Sequence, residues 1–196
     1  MISMWNERYS EQGFAYGTKP NDFLQANIES LTKGKTLCLA EGEGRNAVFL
    51  AMHGFDVTAV DLSSVGLEKA QRLADENGVA IKTIVADLSD FEIEENFWDT
   101  IVSIWAHVPA IVRRSLHTKV VAGLKPKGTF LLEAYTPKQV EFGTGGPKID
   151  MTMSLEVLRQ ELSPLRFEIS QEIEREVQEG KYHNGHSAVV QILAVR

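Results

Sequence analysis

Five short, continuous runs of apolar residues follow residue 35. Continuous runs, unlike alternating ones, are typical of strands that are covered on both faces, as in a parallel sheet. Each run has the length of a strand and is too short for a buried helix. The runs that we interpret as strands are Thr36–Ala40, Asp56–Val60, Ala80–Val85, Asp99–Ile104 and Thr129–Leu132.

Helical patterns separate these runs. Asn46–His53, Val65–Asn77 and Ala110–Ala122 carry apolar residues at helical spacing. Gly78 follows the second pattern, where a left-handed C-terminal residue is favoured, and the turn Lys125–Gly128 leads into the fifth run. The alternation of strands and helices predicts an α/β fold with a doubly wound, mostly parallel, Rossmann-like sheet of seven strands.

The C-terminal third of the chain follows a different pattern. A short helix is predicted over Ser154–Leu162, and apolar residues then alternate with polar ones over Phe167–Val177, which indicates a half-exposed strand. Ser187–Val195 is the last apolar strand, and the residues Glu179–His186 are expected to form the loop between the two. We therefore expect the sheet to end in an antiparallel hairpin, with the acidic run Glu172–Glu179 on a solvated edge.

The length of 196 residues and the 43% of hydrophobic residues suit a single globular domain. We divide this domain into three parts. Residues 1–35 form an N-terminal helical lid segment, residues 36–135 a cofactor-binding core, and residues 136–196 an acceptor loop, a helix and the terminal hairpin.

The charge excludes some classes of partner. With 20 basic and 27 acidic side chains the net charge is −7, which argues against nucleic acid held through phosphates. No apolar run approaches the roughly 18 residues of a membrane span, and no signal peptide is visible, so we expect a cytoplasmic protein with no membrane partner. The single cysteine, Cys38, forbids an internal disulfide, and we expect no metal. The charged hairpin edge favours a monomer or a weak homodimer.

Chemistry-bearing residues follow three successive strands. Gly42 and Gly44 lie between the first strand and the first helix, where a tight turn lets a ligand approach the backbone. Asp61 and Asp87 end the second and third strands. In a doubly wound sheet these strand ends share the carboxyl edge, where ligands bind. A carboxylate there can accept ribose hydroxyls, and the next can accept an adenine amine, so the set predicts a site for adenosine.

Two adenosine ligands fit this spacing. The pattern Gly42–Ala47, with Asp61 downstream, also satisfies the dinucleotide fingerprint. A pyrophosphate on this turn, however, would meet the carboxylates of Glu41 and Glu43. S-adenosylmethionine carries no phosphate and brings a sulfonium and an ammonium, which acidic neighbours favour. We therefore expect S-adenosylmethionine rather than a nicotinamide cofactor.

Four segments carry a family resemblance. They are Gly42–Asn46, Gly54–Asp61, Ala86–Leu88 and Leu124–Phe130, and the terminal hairpin agrees with them. The chain resembles the class I S-adenosylmethionine-dependent methyltransferases over nearly its whole length. Within them it is most similar to the small bacterial branch that includes tellurite-resistance-type methyltransferases.

The resemblance implies roles for individual residues. Gly42 and Gly44 would line the methionine moiety, and Asp61 would hold the ribose. Asp87 and Leu88 would bracket the adenine. The full set of expected cofactor-binding residues is Arg8, Ala40, Glu41, Gly42, Gly44, Asn46, Asp61, Leu62, Asp87, Leu88, Ile104 and Trp105.

This chain departs from the family at the opening of the Gly-rich segment. The family usually has an acidic residue and a glycine where this chain has Cys38 and Ala40. Glu41 is then the candidate partner of the methionine amine. In the lid segment, Arg8 is a candidate partner of the methionine carboxylate, since a guanidinium makes charge-assisted hydrogen bonds to carboxylates. Neighbouring aromatic residues suit either a lid over the cofactor or ordinary helix packing.

Two histidines are candidates for the chemistry. Methyl transfer from a sulfonium is an in-line displacement, to which the protein contributes position and desolvation, and a base is needed only for a protonated acceptor. His107 follows the fourth strand, where the family places contacts to the methyl group and acceptor. His183 lies in the expected hairpin loop, which reaches the same edge if the penultimate strand is parallel to the core strands. The alternative is a structural loop histidine for His107 and a solvated loop histidine for His183.

The sequence therefore predicts transfer of a methyl group from S-adenosylmethionine to a small-molecule acceptor. A thiol, a chalcogen oxyanion such as tellurite or selenite, and a small metabolite hydroxyl each fit the residues, and the family resemblance favours a soft sulfur-like or chalcogen nucleophile. Two alternatives stay open, an NAD(P)-binding oxidoreductase and a non-catalytic S-adenosylmethionine-binding protein. The second would be favoured if the N-terminal segment or Trp105 filled the space beside the sulfonium.

Overall fold

Seven strands and seven α-helices make up the computed structural model of the protein, which describes residues 2–144 and 146–196. The strands are β1 (Lys35–Leu39), β2 (Asp56–Asp61), β3 (Lys82–Val85), β4 (Trp98–Ile104), β5 (Leu124–Tyr135), β6 (Arg166–Glu179) and β7 (His183–Val195). The helices are α1 (Ile2–Tyr9), α2 (Asp22–Asn27), α3 (Arg45–Met52), α4 (Ser64–Glu76), α5 (Ala110–Gly123), α6 (Gln139–Phe142) and α7 (Leu155–Glu161), with short 3-10 turns at Ile28–Ser30 and Ile149–Met151.

The seven strands form one sheet in the order β3-β2-β1-β4-β5-β7-β6. Strands β1 to β5 pair in parallel, and β7 pairs antiparallel with both β5 and β6. This confirms the expected doubly wound α/β sheet with a terminal hairpin. The apolar runs form the central strands because their side chains are covered on both faces, as with Leu37 and Cys38 of β1, which are fully buried.

One face of the sheet is covered by α3, α4 and the N-terminal segment, and the other by α5 and α7. Leu50 and Leu67 belong to the first apolar core, and Leu116 and Leu158 to the second. Because β1, β2, β3 and β4 are parallel, their carboxyl ends meet at one edge of the sheet. That edge receives the Gly-rich turn after β1 and the aspartate that ends β2.

The terminal hairpin is longer than expected. Glu179 pairs with His183, so the strands continue to a tight turn at residues 180–182, and the expected loop over Glu179–His186 is wrong. Polar and glycine residues there resemble a loop locally, but packing of the turn decides the structure, since a Cβ on Gly180 would collide with the backbone of Tyr16 and Gly17.

The direction of β6 brings this turn to the carboxyl edge of the parallel strands. Strand β7 is antiparallel to β5, and β6 is antiparallel to β7, so β6 runs in the same direction as β5. The end of β6 therefore lies at the carboxyl edge of the sheet.

The expected turn Lys125–Gly128 lies inside β5. The pairing of β4 with β5 shifts its register between Trp98 and Thr100, and Lys127 adopts a left-handed φ of 69°. The backbone N–H of Lys127 donates to the carbonyl of Arg196. The segment is thus a bulge held by the C-terminus, a feature that local turn residues do not distinguish from a free turn.

A buried ionic cluster joins α5 to α7. The Glu161 carboxylate accepts hydrogen bonds from Arg113 (Nη2 to Oε1, 3.0 Å) and from His117 (Nδ1 to Oε2, 2.7 Å), and all three side chains are less than a tenth exposed. Burial raises the pKa of Glu161, but the hydrogen bonds from His117 and Arg113 outweigh burial and lower it to about 2. The ionised carboxylate therefore stabilises the contact between these helices.

We expect Glu161→Gln to destabilise the fold by about 3 kcal/mol at pH 7, since it leaves buried Arg113 without its counter-ion. A carboxyl whose pKa is lowered on folding stabilises the protein above the unfolded-state pKa near 4.5 and loses that contribution as pH falls towards 2. The free energies of unfolding of wild type and variant, measured with urea between pH 7 and pH 3, should therefore converge as the pH falls. The control is Glu156→Gln, on the exposed face of the same helix. Curves that stay parallel at every pH would contradict this role.

Candidate functional site

The Gly-rich turn, residues 41–44, connects β1 to α3 and adopts backbone conformations that favour glycine. Gly42 and Gly44 have φ angles of 62° and 88°. A Cβ on Gly44 would stand 2.5 Å from the Cβ of Ala70 in α4, so the glycine also permits close approach of that helix. Ala40, just before the turn, has a φ of 51° although it carries a side chain. The turn is therefore held in a conformation that its surroundings must impose.

Asp61, the last residue of β2, anchors the turn from the neighbouring strand. Its carboxylate accepts the backbone N–H of Gly42 and that of Ser63, both at 2.8 Å. Burial raises the pKa of the Asp61 carboxyl, and the hydrogen bonds from the backbone oppose that rise. The carboxylate keeps further lone pairs that a ligand hydroxyl can use.

Helix α1 covers this corner of the sheet edge. The Tyr9 hydroxyl oxygen is 2.6 Å from the position that a Cβ on Gly42 would take. The Tyr9 ring is 2.9 Å from the corresponding position on Gly66. Trp5 stacks on Tyr9 with ring centroids 5.6 Å apart. Burial is the main cause that raises the pKa of Tyr9 far above its usual value, so this hydroxyl stays neutral.

Glu41 turns away from the cleft and caps α3. Its Oε1 accepts the backbone N–H of Asn46 (3.0 Å) and of Ala47 (2.7 Å), and it lies beside the Cys38 thiol. Burial raises the pKa of Glu41 to about 7, although those amides and Arg45 favour its charged form. The carboxyl expected at the methionine amine thus satisfies the first turn of the helix.

Asp87 and Leu88 follow β3 at the same edge. Asp87 is exposed and accepts the backbone N–H of Ser89 at 2.9 Å, while Leu88 is buried in the second apolar core. Leu62, after β2, is half-buried. An exposed acceptor beside apolar side chains is suited to the edge and face of an adenine ring.

Glu43, the second acidic residue of the turn, holds the N-terminal strap, which we define as residues 13–21. Its Oε2 accepts the backbone N–H of Ala15 (2.7 Å), and its Oε1 is 2.8 Å from the Lys69 ammonium. That ammonium also donates to the carbonyl of Gly13. Both carboxyl groups of the turn are therefore engaged by other groups of the protein.

An aromatic cluster lies where β4 and β5 end. The Trp105 ring is 4.5 Å from that of Tyr135 and 5.1 Å from that of His183, which in turn lies 4.5 Å from Tyr16 of the strap. Trp105 has a left-handed φ of 56°, directly after Ile104. The candidate residues from β4, the hairpin and the N-terminal segment thus meet in one place.

The environment of His107 keeps its imidazole neutral. Its Nε2 accepts the backbone N–H of Tyr135 at 3.0 Å, and its ring stacks on the Tyr135 ring. Burial lowers the pKa of His107 to about 3, helped by the nearby His183. This nitrogen has no free lone pair with which to take a proton.

His183 presents a different environment. Its Nδ1 is buried and has no hydrogen-bond partner among the described residues, and it lies 3.7 Å from Oε2 of Glu179. Burial lowers the pKa of His183, while Glu179 opposes that shift.

Arg8 lies at the outer side of the cluster. Its guanidinium donates to the Tyr16 hydroxyl at 2.8 Å and stands over the rings of Tyr182 and Trp5. Within the described part of the chain it makes no ion pair with a carboxylate.

Glu179 is the functional candidate that the sequence reasoning assigned to solvent. Its side chain is 4% exposed and accepts hydrogen bonds from Arg45, Trp105 and Asn21. The sequence did contain a signal for this burial: side chains two residues apart in a strand lie on the same face, so Glu179 shares a face with buried Val177.

Comparison with known proteins gives the class. Residues 36–128 match the family described as "Methyltransferase domain". The ubiquinone biosynthesis O-methyltransferase of Rickettsia prowazekii is 28% identical over 124 residues, which cover 61% of this chain and 48% of that protein. The tRNA (uracil(54)-C(5))-methyltransferase of Pyrococcus furiosus is 30% identical over 139 residues, or 64% of this chain and 32% of that protein. The chain spans about half or less of the length of these relatives.

Solved structures agree in fold. NodS from Bradyrhizobium japonicum, in complex with S-adenosyl-l-homocysteine, superposes with a TM-score of 0.75 at 14% identity, covering 100% of this chain and 97% of NodS. TehB from Haemophilus influenzae superposes with a TM-score of 0.73 at 20% identity, covering 89% of this chain and 61% of TehB.

Residues 36–128 match a methyltransferase domain and the whole chain shares the fold of NodS, which confirms the resemblance seen in the sequence. The likeness to TehB agrees, at the level of fold, with the tellurite-resistance-type branch. The class decides against the NAD(P)-dependent oxidoreductase that the glycine spacing also allowed. Among the described residues, no helix is long and apolar enough to cross a membrane.

We expect Glu41→Gln to keep the cap on α3, because the amide oxygen can still accept from Asn46 and Ala47. A carboxyl whose pKa is raised on folding stabilises the protein below the unfolded-state pKa near 4.5 and loses that contribution as pH rises through about 7. Between pH 5 and pH 8 the variant should therefore gain on the order of 2 kcal/mol relative to wild type. Thermal unfolding across this range measures the difference. A constant difference would contradict the assigned environment.

Proposed function

We propose that the protein transfers the methyl group of S-adenosylmethionine to a small-molecule acceptor by in-line displacement. One observation carries the proposal: the ends of β1, β2 and β3 bring the Gly-rich turn, Asp61 and Asp87 to a single edge of the sheet. These side chains fit an adenosine, because the two carboxylates accept hydrogen bonds from hydroxyl and amine groups while Leu62 and Leu88 offer apolar surface.

We assign the ends of the cofactor to this edge as follows. Asp61 accepts the ribose hydroxyls, Asp87 and Leu88 bracket the adenine, and Gly42 and Gly44 let the methionine portion approach the backbone. Arg8 is the candidate for the methionine carboxylate, since its guanidinium is clamped by aromatic rings and has no carboxylate partner among the described residues. Glu41 is not included, because its carboxyl caps α3.

The bound cofactor supplies an activated methyl group on a sulfonium. The protein positions the acceptor and keeps water away, which are the main contributions available to such a displacement. The aromatic cluster and the strap provide the water-excluding walls. Tyr9 rests against Gly42 and Gly66, so α1 must shift or stack on the ligand when the cofactor enters.

A small acceptor is favoured by the covering segments and by charge. The strap and the hairpin turn lie over the site, and the net charge of −7 disfavours a polyanion. A thiol, a chalcogen oxyanion and a small metabolite all meet this description. The relatives named above are, by name, a ubiquinone biosynthesis O-methyltransferase and a tRNA methyltransferase, so an acceptor screen must include RNA as a contrary case.

We assign the general base, where the acceptor needs one, to His183 and a positioning role to His107. For a hydroxyl or thiol acceptor, His183→Gln should lower kcat by about 100-fold and remove one limb of the pH–rate profile. The dissociation constant for S-adenosylhomocysteine should stay within a factor of two. His186→Gln, on the exposed part of the same hairpin, is the control. Unchanged kcat in His183→Gln would remove this role.

A non-catalytic S-adenosylmethionine-binding protein is the second candidate. It is favoured by the close packing of Tyr9 on the turn and of His183 within the aromatic cluster. The two candidates separate by turnover: the enzyme releases S-adenosylhomocysteine when a panel of thiols, tellurite, selenite and small hydroxyl compounds is supplied. A binding protein releases none with any acceptor.

Calorimetric titration tests the cofactor site directly. We expect micromolar binding of S-adenosylmethionine and S-adenosylhomocysteine, with no binding of NADH. Asp61→Asn should weaken the adenosyl ligands by about 10- to 100-fold, the effect of losing a hydrogen bond to a charged group. Asp56→Asn, at the exposed start of the same strand, is the matched control. Binding of NADH alone, or equal affinity in Asp61→Asn, would contradict the proposal.

A further inference from the structure

A single buried carboxylate, that of Glu179, joins three separate parts of the chain. Its Oε2 accepts from Arg45 Nη2 and from Trp105 Nε1, both at 2.6 Å, and its Oε1 accepts from Asn21 Nδ2 at 2.8 Å. Arg45 begins α3 directly after the Gly-rich turn, and Asn21 ends the strap. Trp105 follows β4, so the Gly-rich turn, the strap and the end of β4 all depend on this group.

The hairpin turn that follows Glu179 packs onto the strap. The backbone N–H of Lys181 donates to the carbonyl of Ala15 at 2.8 Å, and Gly180 leaves no room for a Cβ against Tyr16. The Ala15 N–H in turn donates to Glu43 in the Gly-rich turn. The strap and the hairpin turn therefore form one covering layer that is connected to the Gly-rich turn.

The conformation of Trp105 depends on the same contacts. A left-handed φ of 56° is unfavourable for a bulky residue and persists only where the surroundings over-determine it. The indole is fixed by its hydrogen bond to Glu179 and by packing on Tyr135 and His183. Loss of the carboxylate would release the side chain at the end of β4.

Two guanidinium groups lie beside the Glu179 carboxylate. Arg45 lies on one side and Arg175 on the other, 3.6 Å from Oε1, and Arg175 is paired in turn with Glu133 and Asp22. A buried carboxylate between two guanidinium groups stays ionised, whereas loss of its charge leaves Arg45 without its counter-ion in the interior. Glu179 thus holds the layer through a charge that its neighbours require.

We propose that Glu179 is a positioning residue that holds the strap and the hairpin turn (residues 180–182) over the Gly-rich turn, as a latch. It thereby sets the rate at which S-adenosylhomocysteine leaves. The carboxylate touches no reacting atom. It acts through Arg45 and Trp105, which it fixes in place. The role rests on the proposed function only in the identity of the ligand, S-adenosylhomocysteine.

The main test is the dissociation rate of S-adenosylhomocysteine, measured by stopped-flow displacement. We expect Glu179→Gln to release the ligand at least tenfold faster than wild type. Glu176→Gln, an exposed glutamate on the same strand, should change the rate by less than twofold. A role confined to global stability would lower the unfolding temperature without this change. A folded Glu179→Gln with a rate within twofold of wild type would overturn the latch.

A second variant decides the outcome if Glu179→Gln does not fold. Trp105→Phe removes one donor to the carboxylate and leaves Arg45 and Asn21 in place. It should speed release at least threefold in the wild-type protein. Where Glu179→Gln does fold, adding Trp105→Phe to it should speed release by less than a further twofold, because the two residues act as a unit. No change in Trp105→Phe alone would overturn the proposal.

Amide hydrogen exchange on the ligand-free protein separates this proposal from the proposed function. Faster exchange at Ala15 and Lys181 in Glu179→Gln, or in Trp105→Phe if the former does not fold, is the expected result, with no change in Glu176→Gln. If wild type binds no S-adenosylhomocysteine, the proposed function fails while exchange still tests the latch. Unaltered exchange at both amides would overturn it.

Discussion

Buried carboxyl groups fix the Gly-rich turn and its neighbouring segments by accepting backbone N–H groups, and the rest of the site depends on those bonds. A tight turn between a central strand and a helix exposes N–H groups that no secondary structure pairs, and such groups are costly to bury unpaired. Asp61 accepts from Gly42, and Glu41 accepts from the first turn of α3. Glu43 carries the same chemistry outward by accepting from the strap.

This arrangement changes the meaning of the acidic residues in the turn. Their charge was the reason to expect a cationic, phosphate-free cofactor, and the class of the protein agrees with that expectation. The structure, however, engages both glutamates inside the protein, where Glu41 caps a helix and Glu43 pairs with Lys69. The position that is acidic in the family is Cys38 here, and Glu41 brings a carboxyl beside that thiol. Its hydrogen bonds support the turn rather than the ligand.

The central sheet was predictable because its pattern is local and strong. Continuous apolar runs, glycine after strand β1 and aspartate at the end of strand β2 are sufficient to define a doubly wound sheet and the edge that we propose for the cofactor. The closing features were not predictable from local pattern, since they depend on contacts between distant segments. Glu179 illustrates the difference, because an acidic residue near the end of an alternating strand looks solvated until Arg45 and Trp105 arrive from elsewhere. The turn after it resembled a loop for the same reason.

The central claim is that the carboxyl edge of β1 to β4, beneath the strap and hairpin turn, is the cofactor site. A crystal structure of the protein with S-adenosylhomocysteine tests it most directly. We expect the ribose on Asp61, the adenine between Asp87 and Leu88, and the strap closed above the ligand with Glu179 still bound to Arg45 and Trp105. Density for the ligand at another surface, with Tyr9 still packed against Gly42, would contradict this placement.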